Sequence, residues 1–169
     1  MPQPCPARVG DPVDQIETPA LVVDLDVYEH NLDRMAGILA GRDIRFRPHA
    51  KTHKSPEVAL DQIKRGAVGV CCQKVSEAEI MVQGGVHDVL LSNQIVGRSK
   101  ARRVAKLAKQ ARIAVCADNK ENIAELDAAA KEADITLSVL VEVEVGGDRC
   151  GVPPGKPALE LAQIIQSAP

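Results

Sequence analysis

Aromatic side chains are almost missing from this sequence of 169 residues, in which tryptophan does not occur. Tyr28 and Phe46 are the only aromatic residues. Proteins that bind single-stranded nucleic acid stack its bases on aromatic side chains, so this class of function is excluded. The hydrophobic core must be built from valine, isoleucine, leucine and alanine instead.

Neither sign of charge is in excess, and no long apolar run is present. The 21 lysines and arginines nearly balance the 23 aspartates and glutamates, which gives a formal net charge of -2. This balance removes the electrostatic argument for nucleic acid or an anionic membrane as a partner. The sequence also lacks the run of about 18 apolar residues that spans a membrane, and residues 1–10 lack the apolar segment of a signal peptide.

The cysteines match neither a zinc-binding spacing nor the even-numbered framework of a secreted protein. They are Cys5, Cys71, Cys72, Cys116 and Cys150. Four of the five lie in or beside apolar stretches, and free cysteine is among the most buried residue types. We therefore predict a reducing, cytoplasmic location and no metal ligands in this chain.

Short β-branched runs alternate with amphipathic stretches, which is the pattern of an α/β protein with a parallel sheet. Strands are predicted at residues 20–24, 43–49, 68–72, 88–92, 113–116 and 135–145. Without the first of these strands, five βα units are present, whereas a closed (β/α)8 barrel needs eight units and about 250 residues. The pattern fits an open five-stranded sheet or a little over half of a barrel.

Capping residues indicate where several of the helices begin. Ser55 has the side chain and the position of an N-cap. Ser76 with Glu79, and Asp118 with Glu121, have the spacing of capping boxes, in which two side chains satisfy the first backbone N–H groups of a helix.

Polar residues cluster where the predicted strands end, and parallel α/β proteins bind their ligands at that edge. The alternation of side chains along a strand places Arg47, His49 and Lys51 on a common face. A desolvated lysine near other cations favours the neutral amine, which forms an imine with a carbonyl compound. A solvated loop lysine fits the same spacing, so the pattern leaves both interpretations of Lys51 open.

Arg149 lies in a glycine-rich turn after the last predicted strand. A guanidinium at this position can bind a phenolate, carboxylate or phosphate oxygen through paired hydrogen bonds. The alternative is a salt bridge with Glu142 or Glu144, and the position of Arg149 alone favours that alternative.

Four motifs together resemble the D-threonine aldolase family in their order and spacing. They are TPALVVDLD at residues 18–26, RPHAKTHK at 47–54, GVCCQKVSEAE at 69–79 and VEVEVGGDRCGV at 141–152. The resemblance implies an α/β fold, an alanine racemase-like barrel that binds pyridoxal phosphate, followed by a second, mostly β domain. Relatives of the family include 3-hydroxy-D-aspartate aldolase and D-serine dehydratase.

The resemblance also implies roles for individual residues. Lys51 matches the lysine that forms the Schiff base with the cofactor, and Arg149 matches the arginine that contacts the cofactor's ring oxygen. His49 and Gln73 match positions that line the cofactor. The implied reaction is the cleavage of D-threonine or a related D-3-hydroxy-amino acid to glycine and an aldehyde, and dehydration of the same kind of substrate is the alternative outcome.

The family's members are more than twice as long as this chain. The resemblance therefore implies that the rest of the barrel, the phosphate-binding glycines, the ligands of a divalent metal ion and the β domain lie outside these residues. We expect residues 1–17 to form an N-terminal arm, residues 18–169 to form the N-terminal part of the barrel, and these residues alone to show no turnover. A non-catalytic half barrel that binds the cofactor or self-associates is the alternative from another class of function.

Overall fold

The computed structural model describes residues 5–168. The chain divides into two compact units, Met1–Ala40 and Gly41–Pro169. Residues 1–4 of the predicted N-terminal arm lie outside the described part of the chain, and the boundary at residue 17 stays a prediction. No helix among residues 5–168 has both the length and the apolar character that crossing a membrane requires.

The first unit contains a short 3-10 turn, Val13–Gln15, and one long helix, α1 (Leu25–Leu39). The prediction of a strand at residues 20–24 is wrong, because this segment has no regular secondary structure. Leu21 and Val23 are exposed, and the segment pairs with none of the strands found between residues 5 and 168. A strand is stable only when a neighbouring strand satisfies its backbone N–H and C=O groups, and an apolar pattern alone does not provide one.

The second unit alternates helices with parallel strands. Its elements are α2 (Pro56–Lys64), β1 (Val70–Cys72), α3 (Val75–Gln83), β2 (Asp88–Gln94), α4 (Arg98–Ala108), β3 (Arg112–Ala117), α5 (Lys120–Ala133), β4 (Ser138–Val141) and α6 (Lys156–Ser167). The four strands pair side by side in the order β1-β2-β3-β4, and every pair is parallel. The predicted α/β architecture with a parallel sheet is confirmed.

The predicted strand at residues 43–49 is an extended segment that contacts the chain around β1 at two isolated positions. Phe46 pairs with Ala67, and His49 pairs with Cys71, both in parallel orientation. Pro48 lies between the two bridges and has no N–H, so a continuous hydrogen-bond ladder cannot form there. Its carbonyl still accepts a hydrogen bond from the Cys71 N–H at 2.7 Å.

The helices cover one face of the sheet. Val89, Leu91 and Val115 are fully buried in a core that includes residues of α3, α4 and α5. The alternate residues of the same strands are more accessible, and Leu140 of β4 is 45% exposed. In a closed barrel these alternate side chains point inward. The sheet therefore has the surface expected of a barrel segment, one face under helices and one face open.

The start of α3 differs from the prediction. Glu77 accepts hydrogen bonds near the helix start, among them one from the Gln73 N–H at 2.8 Å. The predicted capping box of Ser76 and Glu79 is wrong, because Glu79 instead forms an ion pair with Arg103 of α4.

The start of α5 is displaced by one residue from the prediction. Asn119 rather than Asp118 is the N-cap, and its side chain accepts a hydrogen bond from the Asn122 N–H at 2.8 Å. The predicted capping box of Asp118 and Glu121 is therefore wrong, and the Asp118 carboxylate bonds other groups. Ser55 caps α2 as predicted.

The loop after β4 folds back onto the residues that follow that strand. The predicted strand at 135–145 is shorter in the structure, where β4 is Ser138–Val141. Val152 pairs with Val143, and the Glu144 N–H donates to the Val152 carbonyl at 2.8 Å. Gly151 makes this close approach possible, because it has a φ of +101° and a Cβ added there would lie 2.7 Å from the Glu144 nitrogen. A side chain at this position would push the loop away from the sheet.

We predict that Gly151→Ala destabilises the protein more than Gly146→Ala does. The φ angles of the two glycines are +101° and +110°, so both replacements carry a similar conformational cost, but only a Cβ at residue 151 meets other atoms. We expect Gly151→Ala to lose about 1–3 kcal/mol more of the free energy of unfolding, measured in urea. Equal losses in the two variants would contradict the close packing of this loop.

Candidate functional site

The carboxyl ends of the parallel strands meet at one edge of the sheet, and the strand register is irregular there. Leu91 of β2 pairs with Val115 of β3, but the next pair joins Gln94 to Cys116. The β2 strand therefore contains two extra residues at this edge. Irregularities of this kind redirect side chains and are common beside functional sites.

His49 connects the lysine-containing turn to β2. Its Nδ1 accepts a hydrogen bond from the Lys51 backbone N–H at 3.3 Å, and its Nε2 lies 3.3 Å from Ser92 Oγ. Because Nδ1 is an acceptor, the ring proton belongs on Nε2, which donates to Ser92. Ser92 Oγ donates in turn to the Cys72 carbonyl at 3.5 Å. This arrangement requires a neutral imidazole.

Burial favours the neutral forms of two histidines near this turn. Burial lowers the pKa of His49 below its ordinary value of 6.5, and the positive charge of Lys51 lowers it further. Burial also lowers the pKa of His53, whose Nδ1 accepts a hydrogen bond from the Ser55 N–H at 3.1 Å. Both imidazoles are therefore neutral at pH 7.

We predict that the free energy of unfolding decreases as the pH falls through 6.5, the ordinary pKa of histidine. Between the lowered pKa of the folded state and the ordinary value, the unfolded chain binds more protons than the folded chain does. The double variant His49→Gln, His53→Gln should show a smaller decrease between about pH 7.5 and about pH 5.5. Denaturant unfolding at several pH values measures this, and an undiminished slope in the double variant would contradict the prediction.

Lys51 is exposed in the turn that follows the 46–49 segment. Its ammonium group forms none of the ion pairs found between residues 5 and 168. Arg47, predicted to share a face with Lys51, pairs with Asp88 at the start of β2, with 2.9 Å between Nη1 and Oδ1. Arg47 therefore lies at the amino edge of the sheet, whereas Lys51 lies at the carboxyl edge.

Gln73 is half-buried directly after β1. Its backbone N–H donates to Glu77 Oε2 at 2.8 Å, and its carbonyl accepts from Asn93 Nδ2 at 3.4 Å. These two bonds fix the backbone of Gln73 between α3 and the end of β2. The residue thus lies at the edge where the sequence predicts it.

Arg149 is exposed in the loop after β4, and its backbone is held by Glu144. Glu144 Oε2 accepts a hydrogen bond from the Arg149 N–H at 3.2 Å, and Oε1 accepts from the N–H groups of Gly146 and Gly147. Hydrogen bonds from backbone N–H groups lower the pKa of Glu144, and the bond from Arg149 makes the largest contribution. Glu144 therefore organises the loop as a carboxylate.

The Arg149 guanidinium forms no ion pair with Glu142 or Glu144 within the described residues. The salt bridge that the sequence favoured as an alternative is absent from the structure. The guanidinium instead lies beside the Cys150 side chain, and a hydrogen bond with that side chain raises the pKa of Arg149; the charge of Glu142 adds to this rise. The planar donor group remains available to an oxyanion.

Two of the cysteines near this edge, Cys72 and Cys116, are poor nucleophiles. Burial, followed by the charges of Glu77 and Cys71, raises the pKa of Cys72 to about 12. Burial, with a contribution from the charge of Glu142, raises the pKa of Cys116 to about 11. Both thiols are therefore protonated at neutral pH, and the thiolate is the reactive form. Neither of these two thiols is therefore a candidate nucleophile.

Gln94 is the polar residue at this edge that the sequence analysis missed. Its Nε2 lies 2.7 Å from Glu142 Oε2 and 3.1 Å from Asp118 Oδ2. The β-branched and apolar run indicated a strand that ends at Ser92, and the sequence contains no signal for the two extra residues in β2. A glutamine two residues after the predicted end of the strand is the only hint.

The family model of the alanine racemase N-terminal domain matches residues 23–169 of this sequence. The chain belongs to this family. The match includes the whole parallel sheet and the loop that carries Arg149. It decides between the two architectures that the strand count left open, because this domain is a barrel and the sheet described above is one part of it.

Two curated relatives are similar to nearly the whole chain. A D-threonine aldolase from Arthrobacter sp is 45% identical over 166 residues, which cover 98% of this chain and 44% of the relative. A 3-hydroxy-D-aspartate aldolase from Paracoccus denitrificans is 42% identical over 97% of this chain and 43% of the relative. The chain therefore spans less than half the length of these relatives.

Solved structures agree with these similarities. The crystal structure of D-threonine aldolase from Filomicrobium marinum superposes with a TM-score of 0.95 at 49% identity, over 98% of this chain and 45% of that one. D-threo-3-hydroxyaspartate dehydratase from Delftia sp. HT23 has a TM-score of 0.76 at 28% identity, over 89% of this chain and 39% of that one. The predicted resemblance to the D-threonine aldolase family and the predicted incomplete barrel are confirmed.

Proposed function

We propose that this chain is the N-terminal barrel portion of a pyridoxal phosphate-dependent aldehyde-lyase, which cleaves D-threonine or a related D-3-hydroxy-amino acid to glycine and an aldehyde. The observation that carries the proposal is the TM-score of 0.95, at 49% identity over 98% of this chain, with a D-threonine aldolase. Because the chain spans 45% of that protein, the activity is proposed for a protein of the relatives' full length.

The groups at the carboxyl edge of the sheet fit this cofactor. Lys51 supplies an exposed amine, and Arg149 supplies a guanidinium that forms no ion pair with a carboxylate of the described residues. Lys51 would bond the cofactor covalently, Arg149 would pair with its ring oxygen, and His49 and Gln73 would lie beside the ring. When bound, pyridoxal phosphate supplies a sink for the electrons of the bond that breaks.

His49 positions Lys51 without adding charge to the site. Its Nδ1 accepts from the Lys51 backbone N–H, and its Nε2 bonds Ser92 at the end of β2. Burial keeps the pKa of His49 low, so the ring contributes no second positive charge beside the amine at neutral pH. The lysine backbone is thereby held relative to the sheet, and its side chain keeps access to the edge.

Aldol cleavage is favoured over dehydration, which is the second candidate reaction. The D-threo-3-hydroxyaspartate dehydratase structure is 28% identical to this chain, whereas the D-threonine aldolase structure is 49% identical. Aldehyde release from D-threonine, with L-threonine as the control substrate, tests the proposal on the full-length protein that carries these residues. Formation of a 2-oxo acid and ammonia instead would favour dehydration.

A non-catalytic half barrel that self-associates is the candidate from another class of function. The open face of the sheet, on which Leu140 is 45% exposed, supports it.

The resemblance also implies a divalent metal ion, but residues 5–168 contain no group of three or more His, Cys, Asp or Glu that could hold one. This part of the chain is therefore not proposed as the metal site. Five unpaired cysteines support the proposed cytoplasmic location.

We predict that pyridoxal phosphate becomes attached to Lys51 and not to Lys54. After incubation with the cofactor and reduction with borohydride, mass spectrometry of the digested protein should find the pyridoxyl group on Lys51. Lys51→Ala should abolish the modification, and Lys54→Asn should leave it unchanged. Asparagine suits the control because Lys54 has a φ of +53°, which asparagine tolerates. Modification that persists in Lys51→Ala would refute the assignment.

We also predict that Arg149→Lys weakens the binding of pyridoxal phosphate by about tenfold, because an ammonium group cannot reproduce a planar, paired contact. Arg112→Lys is the matched control, since Arg112 is an exposed arginine at the amino edge of the sheet, 3.8 Å from Asp88. Titration of cofactor absorbance measures both affinities. Equal affinities in the two variants would show that Arg149 does not contact the cofactor.

A further inference from the structure

Gln94 joins the ends of three strands through one side-chain amide. It is the last residue of β2, and its Nε2 lies 2.7 Å from Glu142 Oε2, directly after β4, and 3.1 Å from Asp118 Oδ2, directly after β3. The amide nitrogen carries two N–H groups, one for each carboxylate. A single neutral group therefore satisfies two acidic side chains at the edge.

Each of these two carboxylates also holds the loop that contains Arg149. Glu142 Oε1 accepts a hydrogen bond from the Cys150 thiol at 2.9 Å, and Asp118 Oδ2 accepts one from the Gly151 N–H at 3.1 Å. Cys150 and Gly151 are the two residues that follow Arg149. The loop is thus fixed to the ends of β3 and β4 immediately beside the guanidinium.

The amide of Gln94 offsets the repulsion between the two acidic side chains. Two neighbouring carboxylates repel each other, and a donor that bonds both of them holds their oxygens in place. Neither carboxylate forms an ion pair with the Arg149 guanidinium, so the bridge through Gln94 does not fix the guanidinium itself. Because β2 contains two extra residues, Gln94 rather than Ser92 pairs with Cys116 in the strand register.

From this geometry we propose that Gln94 is a positioning residue, which holds the Arg149 loop against the sheet edge by bridging Asp118 and Glu142. The inference deepens the proposed function and rests on it for the role of Arg149 in cofactor binding. Gln94 acts through its two partners and does not itself contact the cofactor.

The test compares Gln94→Met, which keeps the size and removes the donor, with Gln94→Glu, which replaces the amide with a carboxyl group. Gln110→Met, at an exposed glutamine after α4, is the matched control. Two properties are measured for each protein at several pH values. They are the protection factor of the Gly151 N–H against hydrogen exchange, by NMR, and the dissociation constant of pyridoxal phosphate.

In Gln94→Met we expect the Gly151 N–H to exchange about tenfold faster and pyridoxal phosphate to bind about tenfold more weakly than in the unaltered protein. The melting temperature of Gln94→Met should equal that of the control variant. Gln94→Glu should show the same losses at neutral pH and recover as the pH is lowered, because a carboxyl between two carboxylates takes up a proton and then donates. Gln94→Met should not recover, since it has no group to protonate. A side chain that only fills space would give no such pH-dependent rescue.

Three results would overturn the proposal: unchanged Gly151 exchange in Gln94→Met, global unfolding of that variant, or no recovery of Gln94→Glu at low pH. Failure of the proposed function is distinguishable from these. If the unaltered protein does not bind pyridoxal phosphate, the assignment of the cofactor fails, and the exchange of the Gly151 N–H still decides whether Gln94 holds the loop.

Discussion

Parallel pairing of β1 to β4 is the constraint on which the rest of this site depends. Parallel strands end at the same edge of a sheet, so side chains far apart in the sequence come together there. Gln73, Gln94, Asp118 and Glu142 each lie at or just beyond the carboxyl end of a different strand. Lys51 reaches the same edge because His49 pairs with Cys71 of β1.

The acidic groups at this edge are satisfied by neutral donors. Glu142 accepts from an amide and a thiol, Asp118 accepts from the same amide and a backbone N–H, and Glu144 accepts from backbone N–H groups. None of these acids forms an ion pair with Lys51 or Arg149, so no carboxylate among them holds either side chain away from a ligand. The pyridoxal phosphate site proposed above would use this separation of roles.

The sheet also explains how a barrel segment is stabilised on one side. Helices α3 to α5 bury Val89, Leu91 and Val115, while the opposite face leaves Leu140 45% exposed. The apolar core therefore depends on contacts between strands and their following helices. The open face is the inner wall of the alanine racemase-like barrel, and in a closed barrel it is packed by the remaining strands.

The sequence alone determined the α/β class, the start of α2 at Ser55, the family and the candidates Lys51 and Arg149, because these depend on local periodicity, capping chemistry and contiguous motifs. Only the tertiary structure decided which apolar runs became strands: residues 20–24 have the composition of a strand but no partner within the described residues. It also decided that Gln94 bridges Asp118 and Glu142, which lie 24 and 48 residues further along the chain. Such contacts follow from strand register and loop closure, and neither property is encoded within a short window of sequence.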